Sequence, residues 1–166
     1  MQRKDIIAAL WIVHSKLDGT GIKWMLLGSS SLMMQGADVE PHDIDILTDR
    51  QGARRIEAIL KKYEVKPMIP GINGPFRANS FELRVKGVKV EVLHGLGERM
   101  NGRWVPVPMR GARFVEARGM KIRMFTLGHV LKVMMRSGRD KDAPKIPKVL
   151  AAIERNKKKR KISRSR

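Results

Sequence analysis

Residues 43–48 read Asp-Ile-Asp-Ile-Leu-Thr, and no other stretch of the chain limits the fold as much. Side chains in a strand point to opposite faces in turn, so Ile44 and Ile46 share one face and Asp43 and Asp45 the other. The alternation predicts a strand over residues 43–48 with one apolar face and one face carrying two carboxylates. Asp is disfavoured in strands, and two like charges at this spacing repel. A solvated strand face tolerates such a pair. A bound divalent cation removes the penalty, and Mg²⁺ takes carboxylate oxygens together with substrate phosphates. The motif alone leaves both readings open.

A second alternation narrows them. In Val88-Lys89-Val90-Glu91-Val92-Leu93 the three valines share a face and Glu91 stands on the reverse. Lys86-Gly87 marks a turn that joins this strand to residues 80–85 as a hairpin. If the two acid-bearing strands are neighbours, Asp43, Asp45 and Glu91 converge on one sheet face. That is the arrangement in-line phosphoryl or nucleotidyl transfer on two metal ions needs. Taken singly, Glu91 is equally a cross-strand partner for Lys89 or Arg84. Upstream, the apolar strand at residues 23–27 runs into Gly28-Ser29-Ser30-Ser31. Glycine permits close backbone approach, and serine hydroxyls with free N–H groups bind phosphate oxygens, although the same residues make an ordinary strand-to-helix turn. No Gly-Lys-Ser/Thr follows, so this is not a Walker loop.

In this order, Gly28-Ser29, Asp43-Ile44-Asp45 and Glu91 resemble the motifs of the nucleotidyltransferase superfamily related to DNA polymerase beta. The pattern is similar to its small bacterial and archaeal members, which include minimal nucleotidyltransferases, abortive-infection-type toxins and antibiotic-modifying enzymes. The helix after Gly28-Ser29, the run from Gly36 to Pro41, and the basic turn at residues 135–142 add to the likeness. The resemblance covers residues 5–150. It implies a mixed β-sheet of α/β (α+β) class, with helices packed on one face and an open carboxylate-bearing face. It implies Asp43, Asp45 and Glu91 as catalytic and metal-holding residues, Gly28, Ser29 and Ser30 as phosphate-binding residues, Mg²⁺ (or Mn²⁺) as cofactor, and an NTP such as ATP as substrate. The activity implied is transfer of an NMP to an acceptor, RNA or tRNA or a protein. The alternative is a non-catalytic module of the same scaffold that binds RNA or a partner protein, as in a toxin–antitoxin pair.

Charge supplies the case for a polyanion. The 166-residue chain carries 35 Lys+Arg against 16 Asp+Glu, a formal net charge of +19. Residues 155–166 hold eight basic residues and no acid, which leaves 27 against 16, or +11, for residues 1–154. The expected organisation is a nucleotidyltransferase-like domain over residues 1–154, its C-terminal helices (about 126–154) packed on it. A basic disordered tail over residues 155–166 completes it, since like charges at that density build no core. Nucleic acid, RNA in particular, is the expected partner. Aromatics amount to 5% and are scattered, with no pattern like an RNA-recognition sheet, so contact is expected mainly at phosphates. The absence of cysteine excludes a disulfide scaffold, a zinc ribbon and a thiol nucleophile. No apolar run approaches the roughly 20 residues of a membrane span, so a cytoplasmic protein without a membrane partner is expected.

The remaining elements read as follows. A helix spans residues 5–17 with Asp5 as cap, and shorter helices span 31–35 and 52–63. An edge strand at 64–68 precedes a Pro/Gly loop through 75, and extended segments follow at 103–107 and 113–124. Thr126 caps a helix to 135, and a last helix runs over 143–154. Met33, Met34, Met134 and Met135 are expected in the core. His42 and His94 are read as solvated or capping residues, and Lys89 as an ion-pair partner on the face of Glu91 or a neutraliser of phosphate.

Overall fold

The computed structural model describes residues 2–63 and 65–164, with residues 160, 161, 163 and 164 described by backbone alone. In chain order the elements are α1 (Arg3–Leu17), β1 (Trp24–Leu27), α2 (Gly28–Met34), β2 (Asp43–Thr48), α3 (Arg50–Ile59), β3 (Ile69–Asn73), β4 (Phe76–Val85), β5 (Val88–Met100), β6 (Arg103–Pro106), β7 (Arg113–Ala117), β8 (Met120–Met124), α4 (Leu127–Ser137), a 3-10 turn (Ala143–Lys145) and α5 (Ile146–Arg164). Eight strands form a mixed sheet in the order β3-β4-β5-β2-β1-β8-β7, with β6 also on β5. β2 lies parallel to β5 and β1 parallel to β8; the other pairings are antiparallel.

The apolar halves of the two alternations build one side of the sheet. Ile44 and Ile46 of β2, and Val88, Val90 and Val92 of β5, are buried with Phe81, Leu83 and Val85 of β4. Ile6, Leu10 and Val13 of α1 and Ala53 and Ile56 of α3 join the same cluster. α3 starts where Asp49 accepts a hydrogen bond from Gly52 N at 2.6 Å. Gly52 has to be glycine, because a Cβ there would lie 2.0 Å from Thr48 Oγ1. The opposite side of the sheet carries the acids. Beyond them a smaller cluster of Met25, Leu47 and Phe125 is capped by Leu93, Leu96, Val107, Met109 and Val130, so the segment after β6 crosses and closes that part of the face.

Several expectations are corrected. Gln2, not Asp5, is the cap of α1; Asp5 sits three residues on and accepts from Gln2 N at 2.9 Å. The edge strand lies at Ile69–Asn73 inside the expected loop, while Val65 makes only an isolated bridge to Leu83 and Glu64 lies outside the described residues. Pro70 and Gly71 fit there because β3 is an exposed edge strand. Met135 is 66% exposed, although Met33, Met34 and Met134 are buried. The last helix does not stop at residue 154. α5 continues to Arg164, so the residues expected to form a disordered tail are helical as far as they are described, and 165 and 166 lie outside. Lys and Arg are good helix formers, and Arg155 Nη2 donates to Gly36 O at 2.8 Å while Asn156 Nδ2 donates to Gln35 O at 3.2 Å. Those bonds tie the start of the basic segment to the end of α2.

Candidate active site

Because β2 and β5 are parallel neighbours, their registers decide what the acids meet. Asp43 pairs with Lys89 and Asp45 with Glu91. Adjacent strands stand about 4.8 Å apart, which brings the three predicted carboxylates onto one patch of one face. On the other side of β2, Leu27 of β1 pairs with Asp45, so the residue after β1 arrives at the same patch. That residue is Gly28. It has φ +63°, and a Cβ on it would stand 2.2 Å from Asp45 Oδ2. Left-handed backbone and close approach each require glycine there. The glycine-serine turn and the second Asp are thus one construction.

A fourth carboxylate belongs to the patch. Glu82 of β4 lies directly across from Glu91. Hairpin pairing counted outward from Lys86-Gly87 already matches 82 with 91, so it was legible and missed. Lys89 stands among these acids. Its Nζ is 3.1 Å from Asp43 Oδ2, 3.7 Å from Glu91 Oε2 and 3.8 Å from Glu82 Oε1. The acids around it hold its pKa above the ordinary lysine value, against the opposing pull of partial burial. Lys66 adds a second contact to Glu82 at 3.4 Å.

Asp45 is the group under most electrostatic pressure. Burial first, then the charges of Asp43 and Glu91, push its pKa up from 3.8 to about 7, with Lys89 and Lys141 opposing. The turn between α4 and α5 lies against the start of β4, where Arg139 Cζ stands 4.8 Å from the Phe76 ring centroid. That turn is fixed by buried Asp142, which accepts from Arg139 Nε at 2.6 Å and pairs with Lys145 at 3.3 Å. α4 is fixed in turn by Arg136, which donates two hydrogen bonds to the buried carboxylate of Glu98 on β5. Glu98 and Arg136 carried no sequence signal, since their meeting depends on how α4 docks.

The donor set suits a hard divalent cation: carboxylate oxygens in register on neighbouring strands, one of them held against its ionisation, and a glycine that leaves the approach to it open. As the side chains stand they surround Lys89, and among the described residues no group of three or more His, Asp or Glu side chains is converged as a metal cage. Of the expected phosphate-binding residues, Gly28 is exposed and Ser29 half-buried at the patch. Ser30 is corrected: it is 1% exposed and its hydroxyl donates to Asp43 O, so it fixes the start of β2 and does not face a ligand. His42 is exposed. His94 shares the face of Val90 and Val92, not that of Glu91; its Nε2 is 3.1 Å from Met68 Sδ, and burial, then Arg50 and Arg54, lower its pKa. Further along the acid face, a cavity of about 320 Å³ opens beyond Leu47, lined by Asp49, Arg77, Leu96, Pro106 and Met109 among others.

With this geometry in hand, comparison with known proteins is informative. A family profile described as aminoglycoside-2''-adenylyltransferase matches residues 9–123. A protein of Thermotoga maritima classed as a nucleotidyltransferase is 30% identical in sequence, with a TM-score of 0.73 over 100% of this chain and 97% of that one. The lincosamide antibiotic adenylyltransferase LnuA, solved with lincomycin, shares the fold at a TM-score of 0.61 and 13% identity, over 92% of this chain and 98% of its own. ANT(2'')-Ia, solved with adenylyl-2''-tobramycin, shares it at 0.59 and 8% identity, over 91% of each chain. A search of curated proteins returns no match.

Proposed function

The chain belongs to the aminoglycoside-2''-adenylyltransferase family of nucleotidyltransferases, and on that premise we propose that it transfers an NMP from an NTP such as ATP, with Mg²⁺ or Mn²⁺, to an RNA acceptor. The observation that carries the proposal is the register of Asp45 with both Glu91 and Leu27, which sets the glycine turn and the acids face to face. Asp43, Asp45 and Glu91 would hold the cation, which when bound supplies charge neutralisation of the triphosphate and of the leaving pyrophosphate. Gly28 and Ser29 hold the β- and γ-phosphates at the β1–α2 turn. Glu91 takes the proton of the acceptor hydroxyl as its oxygen bonds to the α-phosphorus. The bond from that phosphorus to the bridging oxygen breaks in line, and pyrophosphate leaves. Lys89 is withdrawn from the acids when the nucleotide arrives, and its ammonium then faces the phosphates.

The acceptor follows from charge. ANT(2'')-Ia was solved with an adenylylated aminoglycoside, and aminoglycosides are polycations. A chain of net charge +19 repels a polycation at long range and gathers a polyanion. RNA, tRNA included, therefore fits better than a cationic antibiotic.

One observation favours a second reading. Lys89 occupies the middle of the acids, as it would in a scaffold that has given up catalysis and binds RNA or a toxin–antitoxin partner. Melting the protein with Mn²⁺ and ATP separates the two, because a ligand that binds only the native state raises Tm by mass action. The direct test incubates the protein with each α-labelled NTP, Mg²⁺ and either total RNA or an aminoglycoside. Label is expected in RNA; label only in the antibiotic overturns the acceptor, and label in neither overturns the transfer.

A further inference from the structure

We propose that the β7–β8 hairpin is a binding surface for single-stranded RNA, built from Phe114 and the Lys121 and Arg123 side chains that stand against it from β8. This deepens the RNA-acceptor reading above and rests on it for the choice of partner. Phe114 is 56% exposed, an unusual place for a phenylalanine in a chain with so few aromatics. Lys121 Nζ stands 5.3 Å and Arg123 Cζ 5.0 Å from its ring centroid. Phe114 and Arg123 are directly paired across the hairpin, with Lys121 two residues along the same face.

That face is the face of the acids. Leu26 of β1 and Met124 of β8 are paired and both point into the main core, so their neighbours Leu27 and Arg123 point the opposite way, with Asp45. From β2 to β7 is three strand spacings, about 14 Å across the sheet. The capped cluster of Met25, Leu47 and Phe125 stands on that face between the hairpin and the acids, so an RNA strand on the hairpin reaches the acids by passing around it.

Charge points to the same partner. Residues 110–123 contain five basic residues and one acid, Glu116. Arg113 is paired with core residue Met124 and so points to the other face, while Arg110 and Arg118 are exposed. Glu116 lies across from Lys121, yet neither Lys121 nor Arg123 makes an ion pair with a carboxylate among the described residues. By contrast, Arg136, Arg139 and Lys145 near the α4–α5 turn are all engaged. Cations without a carboxylate partner beside an exposed ring form the combination that binds single strands: the cations track phosphates and the ring stacks a base. A duplex keeps its bases stacked on one another and gains nothing from Phe114.

The test is fluorescence anisotropy of labelled oligouridine RNA with the full chain, without NTP or metal, so that it is independent of transfer. Base stacking on an aromatic is worth about 1–3 kcal/mol, so Phe114→Ala is expected to weaken binding at least about fivefold. Its salt dependence and Tm stay unchanged, since the ring is exposed, and Phe114→Trp restores affinity. Lys121→Ala with Arg123→Ala lowers the slope of log K against log salt by about 0.7 for each phosphate that is no longer neutralised. Heparin, a polyanion without bases, is expected to feel the lysine and arginine changes and not the phenylalanine change. Equal affinity of Phe114→Ala and wild type for oligouridine overturns the proposal, as does tighter binding of duplex RNA or an equal loss on heparin. RNA that binds through Phe114 but is never labelled in the transfer assay supports the surface and overturns the acceptor. Labelled RNA with Phe114→Ala unaffected in binding overturns the surface alone.

Discussion

Replacing Asp45 by Asn should make the metal-free protein more stable, and by an amount that grows with pH. Asp45 in the folded chain has a pKa of about 7 against an ordinary 3.8, because it is half-buried and desolvated beside the charges of Asp43 and Glu91. Between those values the folded state holds a proton that the unfolded state has lost. Stability therefore falls as pH rises through that window, and the full penalty stands above it. At about 1.4 kcal/mol for each pH unit, the penalty is on the order of 1–2 kcal/mol at pH 5 and about 4 kcal/mol at pH 8.5. Asn keeps the size and carries no charge, so it escapes the penalty at every pH. The gap between the two proteins should widen by about 3 kcal/mol from pH 5 to pH 8.5, roughly 6–12 °C in Tm for a chain of this size. The assay is thermal melting by circular dichroism in chelator at a series of pH values. Mn²⁺ with ATP should then reverse the order, raising the wild type and not the Asn protein. A gap that does not change with pH, or an Asn protein less stable at pH 8.5, refutes the electrostatic account of this residue.

Gly28→Ala should abolish transfer, because its Cβ would stand 2.2 Å from Asp45 Oδ2 at a φ of +63°; comparing labelled-NTP turnover with wild type checks it. Lys89→Met should cost the metal-free protein about 1–2 kcal/mol by leaving three carboxylates without their shared cation, while tightening Mn²⁺ binding read by electron paramagnetic resonance. Arg136→Ala should lower stability by about 1–2 kcal/mol in urea unfolding, since it strands the buried carboxylate of Glu98 while the exposed side of the pair admits water. The double change with Glu98→Gln should recover part of that loss.

What the chain disclosed in advance was the part governed by period and local chemistry. The alternation at 43–48 is β2 with the expected ends, and Thr126 caps α4 by accepting from His129 N at 3.1 Å. The acid-bearing faces of β2 and β5 were legible, but the meeting of Asp43, Asp45 and Glu91 was conditional on the two strands being neighbours, and the sheet order meets that condition. Docking was not legible. Ser30 reads like Ser29 in a Gly-Ser-Ser-Ser run, and only the approach of α2 to β2 turns its hydroxyl inward to Asp43 O. Phe114 looked like one scattered aromatic until β7 paired with β8 and set two cations against it. The end of the last helix was not legible either, because the expected stop at residue 154 was placed at the change in charge, and α5 runs on to Arg164. Bonds from Arg155 and Asn156 to the end of α2 then anchor the extension.

Whether these carboxylates move a nucleoside monophosphate is decided by running α-labelled and γ-labelled ATP in parallel with Mg²⁺ and RNA, using wild type, Asp43→Asn and Asp45→Asn. Wild type is expected to place the α-label in RNA and to release the γ-label as pyrophosphate in equal amount. Both Asn proteins are expected to do neither while remaining folded. Retention of transfer by Asp45→Asn, or a γ-label that travels to the acceptor, would contradict the proposed chemistry.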